Sequence, residues 1–262
     1  MRGWYRHLNG GWRLSERPIE SEQYIRDEDG NLLRDRGLIS GRWERYVSTL
    51  LNAISATVDR TIIEKISQRP IALSLGNPPS PSETMEALRA MSNGKETDPD
   101  GIPAEIPKLG LNEEASDILY NFHDIVAAVW RIGEVPQEWK DVTIKVLHEQ
   151  QDRIQCSNYR GISLVAHTAK VLLKIVANRL GNVCEETDVF PEEQCGFMRK
   201  RSTIDMMFVV RRLQELGRAS NIPINMCFID LQEAYDSVDR TLLWEVPSRF
   251  GVPLRMVTII RV

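Results

Sequence analysis

A chain of 262 residues, 42% hydrophobic and 27% charged, holds enough apolar material for one large or two modest domains. It has no run near the ~18 apolar residues that a membrane helix requires, and its start, Met1-Arg-Gly-Trp-Tyr-Arg-His7, lacks a secretory apolar core. A soluble intracellular protein with no membrane association is therefore expected. The net charge of −4 argues against a surface that coats nucleic acid throughout.

One stretch runs against that balance. Between Arg153 and Arg218, eleven Lys+Arg face seven Asp+Glu, a net of +4. It reads either as a local phosphate track or as scattered solvated charge. The cysteines, Cys156, Cys184, Cys195 and Cys227, show no CxxC spacing and cluster with none of the four histidines. That excludes a structural zinc pattern and fits reduced thiols, most of them expected in the core.

Residues 1–70 are polar and end at the Gln68-Arg69-Pro70 break, with Asp29-Gly30 as a turn tip and a helix expected from about Ser40 to Lys65. Residues 71–83, rich in Pro and Ser, read as a linker. Ser82 is expected to cap a short helix through Met91. The run Ser116 to Ile132 places Ile118, Leu119, Phe122, Ile125, Val126, Val129 and Trp130 on one helical face, closed by Gly133.

Val142 to Val146 alternates as a half-buried strand and can pair with Tyr159 to Val165 as a hairpin. Thr168 to Glu185 is the next helix. Ser202 with Asp205 reads as a capping box, opening a helix striped by Met206, Val209, Val210, Leu213 and Leu216. Ile224 to Leu231 is expected to be a strand ending in a carboxylate, and Thr241 to Phe250 a helix interrupted by Pro247. Helices and a few strands without regular alternation define an α+β chain.

The chemistry concentrates in Met226-Cys-Phe-Ile-Asp230-Leu-Gln-Glu-Ala-Tyr-Asp-Ser-Val-Asp239-Arg240. Taken alone, Asp230 reads as a cap for the following helix. At the end of an apolar strand, however, a carboxylate is rigidly held and open to solvent, as the binding of two divalent ions for phosphoryl transfer requires.

The context decides between these readings. Phe228 to Asp239 resembles the first catalytic motif of reverse transcriptases of non-LTR retrotransposons. Three more blocks follow the family's order upstream. Asp100-Gly-Ile-Pro-Ala-Glu105 with Gly133-Glu-Val-Pro-Gln-Glu-Trp-Lys140 is similar to the opening segment. Cys156-Ser-Asn-Tyr-Arg-Gly-Ile-Ser-Leu164 with Lys170 and Arg179 is similar to the next, and Gln194-Cys-Gly-Phe-Met to Asp205 to the one after. Asp29-Gly-Asn-Leu-Leu and Arg42-Trp-Glu-Arg-Tyr resemble the connector that precedes the polymerase in such elements.

The resemblance implies a right-hand polymerase: a connector over 1–70, fingers over 84–220 and the start of a palm over 221–262. It implies RNA-templated DNA synthesis with Mg²⁺, an RNA template, a DNA primer and deoxynucleoside triphosphates. Asp230 and the Leu231 carbonyl would hold metal. Glu233, Ala234 and Tyr235 would line the nucleotide pocket, with the Tyr235 ring excluding a ribose 2′-hydroxyl. Arg160 would meet the triphosphate. Arg199, Lys200 and Arg201 are either template contacts or a solvated loop, and Asp236 and Asp239 serve the fold.

Departures matter equally. His148-Glu-Gln-Gln-Asp152 stands where relatives carry basic residues and a glycine, and Met198 where they carry arginine. No Tyr/Phe-x-Asp-Asp occurs in the 262 residues. The expectation is a truncated, catalytically incomplete polymerase. The alternative is a non-catalytic nucleic-acid-binding or interaction module derived from a retroelement.

Overall fold

The computed structural model describes residues 24–52, 61–95, 100–149, 152–231 and 233–261. The expected helix continuing from Ser40 stops at Leu51, and its stretch over 53–60 lies outside the described residues, as does the start of the connector. The chain divides into two compact units, Met1–Val176 with Tyr235–Val262, and Ala177–Ala234. These boundaries cut across the expected fingers and palm segments.

The first unit opens on a short hairpin, β1 (Ile25–Arg26) and β2 (Leu32–Leu33), turning at Gly30 with φ +88°. Helix α1 (Arg36–Leu51) starts at Asp35, whose carboxylate accepts from the Gly37 and Leu38 amides and satisfies two otherwise orphaned donors. It buries Trp43 and Val47. A single turn, α2 (Thr61–Glu64), follows.

The expected linker carries a 3₁₀ turn at Leu73–Gly76 and is strapped to distant backbone. The Gln68 side chain donates to the Ser248 carbonyl at 2.9 Å, and the Arg69 and Ala72 amides donate to the Arg249 and Gly251 carbonyls at 2.9 Å each. The fully buried Trp130 donates its Nε1–H to the Gly76 carbonyl at 3.0 Å.

Helix α3 (Pro81–Ala90) is capped by Ser80, two residues before the expected Ser82. Pro81 explains the shift, since its fixed φ and missing N–H suit the first helical position. Glu83 completes the capping box. After α4 (Glu105–Lys108), α5 (Ser116–Ile132) ends at left-handed Gly133, as expected. It buries Leu119, Phe122, Val126, Val129 and Trp130, while Ile118 and Ile125 of the same stripe stay exposed.

One turn, α6 (Gln137–Lys140), leads into β3 (Val142–His148), which pairs antiparallel with β4 (Tyr159–Val165) in the register Leu147 opposite Arg160 and His148 opposite Tyr159. Helix α7 (His167–Glu186) buries Leu172, Ile175 and Val176 in this unit. Trp139 lies against Phe122, ring centroids 6.3 Å apart.

The second unit holds α8 (Thr203–Ser220), opened by the expected Ser202–Asp205 capping box and closed by Asn221 in the left-handed conformation. Its apolar stripe is not buried: Met206, Val209, Leu213 and Leu216 are exposed, with Met207 and Phe208 beside them. The expected strand Ile224 to Leu231 does not form. A strand needs a partner for its backbone groups, and both sheets among the described residues are two-stranded pairs made without it. Back in the first unit, α9 (Arg240–Arg249) begins at Asp239 and persists through Pro247, and α10 (Leu254–Arg261) follows Gly251. The Arg255 guanidinium donates to the Trp130 and Arg131 carbonyls at 3.0 and 2.6 Å, filling the open acceptors at the end of α5.

Of the four free thiols, Cys156 is buried and burial pushes its pKa up, whereas Cys184 and Cys195 are half-buried and Cys227 is exposed. The expectation of mainly core cysteines holds for Cys156 alone. None of the described helices is long and apolar enough to cross a membrane.

Candidate functional site

Arg160 stands on β4 with its side chain out in solvent. Its Nη1 lies 3.4 Å from a Glu149 carboxylate oxygen, an exposed ion pair that straddles the β3–β4 turn. Leu147 and Ile162 on the same outward face are also exposed. The opposite face is anchored: Tyr159 is 5% exposed, its ring stands edge-on to Trp43 at 5.2 Å, and its hydroxyl donates to the Arg153 carbonyl at 2.8 Å. Ile25, Trp43, Cys156 and Tyr159 form one buried cluster. A cleft beneath the hairpin is lined by Trp43, Tyr46, Leu50, Ile144, Gly161 and Asp236.

Arg199, Lys200 and Arg201 precede α8 in the second unit. The Arg199 Nε is 3.6 Å from Glu185, the Arg201 guanidinium donates to the Glu192 carbonyl, and Lys200 adopts φ +58°. The start of α8 is already capped from within, the Ile204 amide donating to the Ser202 hydroxyl at 3.2 Å. Asp205 accepts from the Ser202 amide at 2.6 Å and places negative charge where a phosphate would bind.

Asp230 lies in irregular chain and is exposed; it caps no helix, that role falling to Asp239, which accepts from the Thr241 and Leu242 amides at 2.9 and 3.3 Å. Leu231 is 70% exposed, and Glu233 sits at φ +48° in a turn with Ala234. Tyr235, 72% exposed, falls on the other side of the unit boundary.

Asp230 and the Leu231 carbonyl offer oxygen donors of the class Mg²⁺ prefers. Two ions need several fixed anionic oxygens, and among the described residues no group of three His, Cys, Asp or Glu side chains can hold a metal. The residues present do not fit a two-ion centre. Two features were not read from the sequence: Glu149 as counter-ion of Arg160, signalled only by the acidic departure in that loop, and Trp43 as the support beneath it.

Residues 147–261 match the reverse transcriptase (RNA-dependent DNA polymerase) family, an interval that includes both Arg160 and Asp230. Over those residues the chain resembles reverse transcriptases, and the relatives it matches include those of non-LTR retrotransposons. It is similar to the transposon TX1 uncharacterized 149 kDa protein of Xenopus laevis, 24% identical over 225 residues, covering 82% of this chain and 16% of that protein. It is also similar to two Drosophila melanogaster proteins described as probable RNA-directed DNA polymerases. For the one from transposon BS the identity is 28%, covering 49% of this chain and 14% of the relative. For the one from transposon X-element it is 28%, covering 62% and 17%. The chain thus spans about one sixth of the length of these relatives.

Proposed function

We propose that this chain serves RNA-templated DNA synthesis as the portion that meets the deoxynucleoside triphosphate and the RNA–DNA duplex, in the fingers and at the start of the palm. The observation that carries this is the family match, which includes Arg160 and the Asp230 run in one interval. Arg160 suits a polyphosphate. Among the described residues its guanidinium is held in solvent by one exposed carboxylate, which a multiply charged anion can displace. Glu233, Ala234 and Tyr235 border the nucleotide, Tyr235 against the sugar. Arg199, Lys200 and Arg201 are weaker candidates, because two of the three are engaged within their own unit.

Asp230 is the reaction's carboxylate, but it cannot by itself carry the chemistry, so the 262 residues alone bind nucleotide without polymerising it. Primer extension on poly(A)–oligo(dT), run beside dTTP titration, tests both halves. No extension is expected, together with dTTP binding that weakens about tenfold in Arg160→Ala. Product that Asp230→Ala abolishes would overturn the inactivity, and dTTP binding indifferent to Arg160 would overturn the triphosphate role.

A further inference from the structure

An isolated two-stranded hairpin is marginal in water, so what supports β3–β4 decides how Arg160 is presented. Along a strand, successive side chains point to opposite faces, and a slip of one residue exchanges the faces. Tyr159 and Arg160 are such neighbours. With Tyr159 seated against Trp43, Arg160 must point outward; with Tyr159 released, that preference rests on the aliphatic residues Val142, Ile144 and Val146 of β3.

The seat comes from residues 24–52. Trp43 of α1 meets the Tyr159 ring edge-on at 5.2 Å, and Ile25 of β1 completes the cluster with Cys156. A second grip holds the turn, where the Arg26 amide donates to the Ile154 carbonyl at 2.8 Å. The Arg42 guanidinium donates from Nε to the Arg26 carbonyl and approaches Glu28 to 3.3 Å, tying α1 to β1. Ile144 and Val146 on the inner face of β3 border the cleft that Trp43, Tyr46 and Leu50 line from the other side.

We infer that residues 24–52 are the positioning element of the Arg160 hairpin, with Trp43 the positioning residue that fixes the face on which the guanidinium meets a polyphosphate, a role that rests on the triphosphate reading of Arg160. The region upstream of the family match at residue 147 thereby acts on substrate without touching it.

The test uses the full chain with inorganic tripolyphosphate as probe, and amide exchange over 159–165 as a readout independent of binding. In Trp43→Ala, exchange over 159–165 accelerates about tenfold and tripolyphosphate binds about tenfold more weakly, as in Arg160→Ala. Trp43→Phe, which keeps an aromatic edge, restores both. Leu119→Ala, a core change in α5 away from the hairpin, controls for general loss of stability and leaves both near the parent values. If Leu119→Ala loses binding and protection over 159–165 as Trp43→Ala does, Trp43 is merely structural and the positioning role is wrong. Unchanged exchange in Trp43→Ala overturns it equally. Should Arg160→Ala bind the probe normally while Trp43→Ala still loosens the hairpin, the triphosphate reading fails and the support of the hairpin by Trp43 stands.

Discussion

The two units carry similar amphipathic helices and treat them differently. In the first, α5 lays Leu119, Phe122, Val126 and Trp130 into a core that the 3₁₀ turn and α10 help to close. In the second, α8 has a capping box at one end, a left-handed cap at the other and an apolar stripe between, yet among the described residues of that unit only Gly217 is buried. Good local signals therefore make a helix; they do not make a core. Most helical stability in proteins comes from packing an apolar face, and α8 packs little of its own.

The largest contrast should come from truncating an aromatic side chain in each unit. Trp130→Ala removes a fully buried indole and its bond to the Gly76 carbonyl, and should cost about 3–5 kcal/mol in urea unfolding. Phe208→Ala, at a side chain 68% exposed, should fall within about 0.5 kcal/mol of the parent. A loss at Phe208 comparable to that at Trp130 would mean that α8 is packed in solution and that the contrast is false.

A smaller effect separates the caps. Ser80→Ala breaks a capping box on a helix whose Ala87 and Leu88 are fully buried, so about 1 kcal/mol should appear in global stability. Ser202→Ala breaks the equivalent box on α8 and should show only as faster amide exchange in that helix. Equal shifts in the global midpoint would break the comparison.

The smallest expected effect is electrostatic. Glu149→Gln frees Arg160 from an exposed ion pair, so tripolyphosphate should bind more tightly by no more than about fivefold, and the gain should vanish as salt is raised. Titration at low and moderate salt measures it. Weaker binding in Glu149→Gln would show that the carboxylate does not compete with the anion.

Local signals were legible in the sequence and long-range ones were not. The 116–132 helix with Gly133 and the Ser202–Asp205 box depend on residues within a few positions of one another, the 142–165 hairpin on two alternating strands joined by one loop, and all three are present. The strand at 224–231 was misread because an apolar run specifies extended chain only if a neighbour pairs with it. The segment 71–83 reads as a linker on composition alone. Its Pro and Ser composition is that of a tether, but Gly76 and Ala72 meet partners far along the chain. Of the candidate site, residue identities were legible in Arg160 and Asp230. The Glu149 pair and the Trp43 seat depend on a turn and a tertiary contact that no spacing rule encodes.

The strap at 68–76 also sets a timetable for synthesis. Gln68 and Ser248 are 180 positions apart, and the Arg69 and Ala72 amides wait for carbonyls at Arg249 and Gly251. As the chain leaves the ribosome, α1, the early hairpin and α5 can form while those acceptors are still unmade. At a few to about twenty residues per second, that interval lasts from roughly ten seconds to half a minute. Until it closes, the Gly76 end of the strap lacks its later neighbours and the carbonyls at the end of α5 lack Arg255. The nascent chain therefore holds much of its secondary structure before residues 248–255 arrive to seal its core.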